Sequence, residues 1–431
     1  MQPEVVTSPR LTEAVGTYGQ WQGKQSQKNK DVNLEDIYQS LSVRRVVNAA
    51  GTLTRLGGPP MAPDAMEAMR EASCWSVSIE ELQDRAGSYL AEVTGAEAGY
   101  VTCGAAAGLQ LAAAACLAGL DIQRMERLPD TGGMPNQIIV QRCQRNAYDH
   151  ALRTAGAKLV EVGQLGNPDT RPTAPWQIEA AIHSGTAAVL WVDMKAPGGV
   201  SLKDTVEVAH RHRLPVIVDA AASLPPVENL KRFIAAGADL VAFSGGKALR
   251  GPQASGILVG RRNLIDSVAL QHQDMDVWPE TWMLRRRFLE SGRLPGPPLQ
   301  GIGRPLKVGK EEIAGLIAAV RAYLRQDPKA WLKEQTDKIQ TLQAGLKKLP
   351  HLRVMIVDSG ESGYPMLAVE LKENSSGLTL VDLVLGLLDG NPAVAVGEQE
   401  SPQGRLILNP VSLSLDQLEL VIEQFGVILA R

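Results

Sequence analysis

Between residues 137 and 260 the chain alternates short, unbroken apolar runs with polar-faced stretches of helical length, and this rhythm restricts its fold more than any other feature. QIIVQ (137–141), KLVEV (158–162), AAVLWVD (187–193), PVIVDA (215–220), LVAFS (240–244) and GILVG (256–260) read as strands, with helices over 148–155, 203–212 and 228–236. A strand exposed on one face alternates apolar and polar residues, whereas a continuous apolar run is buried on both faces. The pattern therefore predicts an α/β fold whose mostly parallel sheet is covered by helices. Upstream, helices are expected over 63–71, 79–94 and 105–118. Downstream, a long helix is entered after Val308, with Ile313, Leu316, Ile317, Val320 and Leu324 at helical spacing. A second helix (328–349), two or three strands and a terminal helix from Leu415 complete a smaller α+β domain. The expected division is an N-terminal arm (1–45), a large domain (46–302) and a small C-terminal domain (303–431). The arm is polar, with Lys24, Lys28 and Lys30 among Gln, Ser and Asn, and residues 17–31 read as a mobile or docking segment.

Composition removes several function classes. There are 44 Lys+Arg against 47 Asp+Glu, a formal net charge of −3, which argues against a general nucleic-acid binder. Cys74, Cys103, Cys116 and Cys143 are widely spaced with no CxxC pair, so neither a zinc ribbon nor a disulfide framework is indicated, and reduced thiols in the cytoplasm are expected. The opening MQPEVVTSPRLTEAV lacks the apolar core of a secretory signal. The most apolar stretch, 105–120, is Ala-rich, contains Gln110 and is short of a membrane span, so it reads as a buried helix. No membrane association is expected.

In open α/β sheets ligands bind beyond the carboxyl ends of the strands. Asp193, Asp219 and Ser244 end apolar runs there, and Lys247 follows LVAFSGG. Singly, a strand-end aspartate serves as a helix cap and a lysine beside a glycine turn as a solvated surface group. Together they are what pyridoxal phosphate chemistry requires. The lysine amine condenses with the cofactor aldehyde, and the carboxylate keeps the pyridine nitrogen protonated because an opposite charge favours the charged form. The amine must be neutral to react, so a partly desolvated lysine is expected. VTCGAAAGL (101–109) adds small residues at a helix start, suited either to cupping a phosphate on free N–H groups or to tight helix–sheet packing.

These segments resemble a known family. VVNAAGTLTRLGG (46–58), VTGAEAGYVTCGAAAGL (93–109), PVIVDAAASLPP (215–226), LVAFSGGKALRGPQASGILVG (240–260) and GIGRPLKVGKEEIAGL (301–316) are similar to the selenocysteine-synthase-related branch of fold-type I pyridoxal phosphate enzymes, and within it to the D-glucosaminate-6-phosphate ammonia-lyase group. The resemblance spans roughly 46–320. It implies a pyridoxal phosphate-dependent transferase fold with Lys247 as the Schiff-base lysine and Asp219 as the pyridinium partner. Cys103, Gly104, Ala105 and Ala106 would form the phosphate cup, Ser244 would add a phosphate hydrogen bond, and His150 would lie against the cofactor ring. Arg304, and less directly Arg55, would bind acidic groups of the substrate. A homodimer or larger even assembly is implied as well.

Two departures bear on the reaction. Selenium transferases of this branch carry an arginine-rich segment ahead of the cup and a sizeable N-terminal tRNA-binding domain. Here SIEELQDRAGSYL (78–90) stands in the first place, and about 45 largely polar residues precede the core. Both argue for a small-molecule substrate and no nucleic acid. Gly397–Glu398 stands where many fold-type I enzymes supply a carboxylate-binding arginine. The reaction expected is a carbon–nitrogen lyase: α,β-elimination from a 2-amino-3-hydroxy acid resembling D-glucosaminate-6-phosphate, giving a 2-keto-3-deoxy acid and ammonia. The acid that protonates the departing hydroxyl is expected at His150 or His272. The alternatives are racemisation, aldol cleavage or group transfer on a small amino acid, then selenium transfer on aminoacyl-tRNA, and last a non-catalytic cofactor-binding scaffold.

Overall fold

In chain order the strands are β1 (Val46–Ala49), β2 (Ala98–Thr102), β3 (Gln137–Gln141), β4 (Lys158–Val162), β5 (Thr186–Val192), β6 (Val216–Asp219), β7 (Leu240–Ser244), β8 (Gly256–Gly260), β9 (Leu352–Asp358), β10 (Pro365–Leu371), β11 (Ala393–Val396) and β12 (Arg405–Leu408). The computed structural model describes residues 36–164, 171–194, 197–358, 363–372 and 377–430, so the segment read as a docking arm (17–31) lies outside the described residues. β2 through β8 build a seven-stranded sheet in the order β2-β8-β7-β6-β5-β3-β4. β3, β4, β5, β6 and β7 pair in parallel, while β8 runs antiparallel to both β7 and β2. All residues of β5 and β6 are buried, as their unbroken apolar runs require.

Helices cover both faces of this sheet. The helix Ala105–Ala118 is apolar all round and buried along nearly its whole length, packed with the sheet and the helix Arg262–His272 in one hydrophobic cluster. On the other face the cluster joins the helices Ile79–Thr94 and Leu202–Arg211 to Val189, Val218, Val241 and Ile257 of the sheet. Ile313, Leu316 and Val320, on the helix Lys310–Arg325, belong to this second cluster. A separate cluster gathers Ile339, Leu342, Leu367, Leu406 and Phe425 from the C-terminal segment, together with Val47 and Ala49 of β1. β1 pairs with β11, and β12-β10-β9 form an antiparallel sheet. Hydrophobic packing thus changes hands after residue 325 rather than at 302, although residues 47–431 make one compact unit. The unit before it holds a short helix, Ile37–Ser40, capped by Asp36, whose carboxylate also pairs with Arg45 at 2.6 Å.

Three local details differ from the sequence expectation. β2 has little strand signal in sequence, because AGYVT begins with two small residues. The helix expected over 148–155 is a 3-10 turn, Ala147–Asp149, running into Leu152 and its neighbours in His150–Thr154. A helix at Leu380–Asp389 was not anticipated; Thr379 and Asp382 cap its first turn reciprocally. No described helix is long and apolar enough to cross a membrane.

β2 is held to the helix Ile79–Thr94 by backbone contact. Gln83 both donates to Val101 O at 2.9 Å and accepts from Val101 N at 3.0 Å. A Cβ placed on Gly87 would penetrate the carbonyl of Gly99. Alanine in place of glycine gains about 1 kcal/mol of helix propensity, whereas overpacking costs about 1–3 kcal/mol and more against backbone. Gly87→Ala is therefore expected to lower the thermal unfolding midpoint, measured by calorimetry; an unchanged or higher midpoint would show that the helix can shift off β2 freely.

Candidate active site

Asp219, Ser244, Lys247 and the Thr102–Ala105 turn lie together at the carboxyl ends of the parallel strands. Register places Thr102, Gly256 and Ser244 in one row across β2, β8 and β7. Asp219 ends β6, opposite Ala242 of β7 and Val192 of β5. Cys103 and Gly104 follow Thr102 directly, and Lys247 stands three residues beyond Ser244. Gly104 has φ 143° and opens the helix Ala105–Ala118. A Cβ on Gly256 would lie 2.5 Å from the Gly104 carbonyl carbon and 2.8 Å from Ala105 N, so β8 approaches the helix start too closely for any side chain. Thr102 Oγ1 donates to Gly104 O at 2.8 Å. Ala106 is exposed at the first turn of this otherwise buried helix, and the first N–H groups of a helix have no intrahelical acceptor. Such a helix start, bare of side chains, fits an anion.

Asp219 is 7% exposed, and Ala221 N donates to its Oδ1 at 3.1 Å. Burial is the main influence on its carboxyl and raises its pKa; the Ala221 amide and the charge of Lys247 oppose this, while Asp149 and Asp193 add to it. Lys247 is pushed below the ordinary lysine range by burial, with Asp219 acting the other way. Arg250 N donates to Lys247 O at 2.9 Å and fixes the turn. The lysine is thus a partly desolvated amine with a buried carboxylate in its field.

Other readings of the sequence meet specific geometry. Ser244 is half-buried at the strand end, and burial raises the pKa of the half-buried Cys103 thiol, so it is no ready nucleophile. His150 is exposed with Nδ1 3.0 Å from Arg153 Nη2. Its neighbour Asp149 turns inward, is 3% exposed and pairs with Arg145. Arg304 pairs with Asp274 at 2.6 Å, and Arg55 with Glu398 at 2.6 Å, so each arginine has a carboxylate of its own chain. The Asp274 carboxyl is lowered to about 2 by the Asp276 amide first, then by Gln300 and Arg304. His272 is corrected as a general acid. It is buried, its Nε2 donates to Leu306 O at 2.9 Å, and its Nδ1 lies 2.9 Å from the Tyr100 hydroxyl. A carbonyl accepts only, so Nε2 carries the proton, and burial pushes the ring toward its neutral form.

Sequence reasoning did not find the cavity onto which Lys247 opens, of about 510 Å³. Thr52, Arg250 and Glu228 contribute polar groups to it, and Tyr323, Trp331 and Tyr364 contribute aromatic ones. The 51–58 loop closes against the lysine turn: a Cβ on Gly58 would lie 2.7 Å from Gly246 O. No sequence pattern joins these residues, which come from separate segments. Asp149 had a weak signal in its place beside His150.

The fold and its ligand set define a fold-type I pyridoxal phosphate enzyme, and the donors present fit that cofactor: an anion-ready helix start, a buried carboxylate and a desolvated amine. More particularly, the chain belongs to the family described as "SelA: L-seryl-tRNA selenium transferase", which it matches over residues 46–276. It is 33% identical over 398 residues to a 5'-C-glycyluridine monooxygenase-decarboxylase from a Streptomyces species, covering 90% of each chain. It is 31% identical over 396 residues to the D-glucosaminate-6-phosphate ammonia lyase of Salmonella typhimurium, covering 90% of this chain and 96% of that one. A solved structure of D-glucosaminate-6-phosphate ammonia-lyase superposes with a TM-score of 0.77 at 30% identity, over 92% of this chain and 99% of the other.

Asp219 generates a prediction whose sign follows from linkage. Its folded pKa lies above the model-peptide value near ~3.9, so the stability it contributes is present below that value and is lost as pH rises through the folded pKa. In the cofactor-free protein Asp219 therefore works against folding as pH rises above its unfolded value. Asp219→Asn is expected to raise the unfolding midpoint of cofactor-free protein at pH 7, with the gain shrinking as pH falls through the folded pKa and gone below about pH 4, while weakening cofactor retention. Calorimetry across pH with cofactor titration checks both; a lower midpoint at pH 7 would contradict the sign.

Proposed function

We propose that this chain is a pyridoxal phosphate-dependent ammonia-lyase acting on a 2-amino-3-hydroxy acid related to D-glucosaminate-6-phosphate. The single observation that carries the reading is the buried Asp219 carboxylate acting on a desolvated Lys247 at one end of the sheet. The bound cofactor supplies an electron sink for negative charge at the substrate α-carbon. Lys247 would hold the cofactor through Nζ and would take the α-proton on that same nitrogen, a role favoured by the burial that lowers its pKa. The Asp219 carboxylate would hold the proton of the ring nitrogen. The amides of Gly104, Ala105 and Ala106, with Cys103 beside them and the Ser244 hydroxyl across the row, would bind the phosphate. His150 would serve the cofactor ring. Arg304 and Arg55 take acidic groups of the substrate in exchange for Asp274 and Glu398. Loss of the 3-hydroxyl as water and hydrolysis of the resulting imine leave the 2-keto-3-deoxy acid and ammonium, so one molecule of water leaves and one enters.

The relative named ammonia lyase, with nearly full-length coverage in sequence and structure, supports this reading over selenium transfer. The net charge of −3 is in keeping with a small acid rather than tRNA as substrate. We place the protein in the cytoplasm, supported by four free cysteines, and propose a homodimer or larger even assembly. Its support is a run of exposed apolar side chains, Trp75, Val77, Ile79 and Met283, with Trp278 at 72% exposure nearby in sequence.

Purified protein is expected to show a visible absorption band that borohydride locks onto Lys247 and that Lys247→Ala lacks. Ammonia and keto-acid release should fall by at least about 10³-fold in that variant, on the scale of removing both a covalent anchor and a general base. A colourless protein that takes up no cofactor would end the catalytic reading, and formation of the opposite enantiomer without ammonia would replace elimination by racemisation.

A further inference from the structure

Arg250 follows Lys247 by three residues and holds a backbone conformation that suits glycine better than arginine. Its φ is 55°, in the left-handed region, where a Cβ is crowded. Hydrogen bonds on both sides fix it there. Its N–H donates to Lys247 O at 2.9 Å, its O accepts from Ala62 N at 2.8 Å, and the next residue, Gly251, donates from N to Gly245 O at 2.9 Å. Strain of this kind persists where the surroundings over-determine it, and it clusters at ligand clamps. The side chain is oriented as well. Nε donates to Pro60 O at 2.8 Å, which leaves both Nη groups to donate elsewhere. Arg250 is exposed and lines the same cavity as Lys247. Among the described residues no carboxylate forms an ion pair with it, and Glu228 shares the lining without pairing to it. Arg55 and Arg304, by contrast, must give up Glu398 and Asp274 before either can take an acidic group.

A role as a staple for Pro60 does not account for this residue. Glycine at 250 would make the same two backbone bonds without strain, so the arginine is retained for what its side chain does. A guanidinium anchored at Nε presents a planar fork, and such a fork matches the oxygens of a phosphate. With the substrate α-carbon at Lys247, the far end of a six-carbon acid reaches toward the turn that Arg250 ends. Its hydroxyls would meet hydrogen-bonding partners on the way, since Thr52, Gln326, Tyr323 and Tyr364 put polar groups into the lining. We infer that Arg250 is a specificity-determining residue, which binds the terminal phosphate of the substrate and sets a preference for a phosphorylated amino sugar acid over its unphosphorylated form. The inference rests on the ammonia-lyase reading proposed above and adds to it the group that distinguishes the two acids. No bond is made or broken at Arg250; it binds and orients.

The test compares holoenzyme with its Arg250→Gly and Arg250→Lys variants on D-glucosaminate-6-phosphate and D-glucosaminate, scored by ammonia and keto acid. Alongside, calorimetry measures binding of 6-phosphogluconate and gluconate, which have no amine to lose. The unaltered enzyme is expected to prefer the phosphorylated acid by at least about tenfold in kcat/KM, the low end of what a hydrogen bond to a charged group contributes. Arg250→Gly, which also relieves the left-handed φ, should shrink that ratio about tenfold, mainly through KM. Arg250→Lys keeps a charge without the fork and should fall between; where the glycine variant does not fold, the lysine variant decides. A merely structural role would lower both kcat/KM values together and leave their ratio unchanged. An unchanged ratio, or no preference in the unaltered enzyme, would therefore overturn the inference and leave the lyase reading standing. No ammonia from either acid, with 6-phosphogluconate bound more tightly than gluconate and that difference lost in the variants, would uphold the role of Arg250 and overturn the lyase reading. Neither turnover nor such binding would overturn the inference.

Discussion

The burial of one carboxylate governs the arrangement of this site. Asp219 ends a strand whose every residue is buried, so its charge is held where water does not solvate it. The cost is enlarged by Asp149 and Asp193, which bring more negative charge to the same end of the sheet. A chain selected only for stability would place an amide or an apolar residue there. The carboxylate makes physical sense when a cation is brought to it, and the protonated pyridine ring of pyridoxal phosphate is such a cation. Lys247, itself desolvated, stands in the same field and is kept from an ordinary lysine's charge. Each of the two groups is set up poorly for folding and well for the chemistry that needs them.

Backbone register brings the rest to that carboxylate. β8 is antiparallel to β7 and β2, and this inserted strand sets Ser244, Gly256 and Thr102 side by side. The row puts the helix start at Gly104 level with the end of β7, with no side chain on Gly256 to keep them apart. A helix start bare of side chains, a hydroxyl and a lysine turn are thereby placed by hydrogen-bonded sheet geometry. That placement has rigidity, since most of the sheet around it is buried on both faces.

Much of this was legible in the sequence because it is written in local patterns. Unbroken runs such as VIVD and LVAFS can hardly be other than buried strands, and Asp219 and Lys247 were read from their positions at the ends of such runs. β2 was harder, since Ala98 and Gly99 carry little strand signal; its identity depends on Gly87 allowing a helix to lie against it. The ion pairs of Arg55 with Glu398 and Arg304 with Asp274 join residues that no periodicity relates. The first also gives a physical sense to Glu398 at a place where fold-type I enzymes often carry arginine: here the guanidinium comes from the 51–58 loop, and the glutamate holds it. His272 looked like a titrating group in sequence, and its role changed when both ring nitrogens were found occupied.

Reaction class and substrate are legible to different degrees. Asp219 and Lys247 lie within short motifs on the parallel sheet, and these are what a family resemblance detects. The cavity beside Lys247 is lined from the end of the helix Lys310–Arg325, the helix Pro328–Leu346, the approach to β10 and the segment beyond β12. These are segments of the C-terminal part of the chain, outside the 46–276 span of the family match. Relatives near 30% identity carry names as different as ammonia lyase and monooxygenase-decarboxylase. Asp219 and Lys247 take their burial from the sheet, whereas the far wall of the cavity comes from C-terminal segments, so substitutions in that wall leave the burial of the two groups in place.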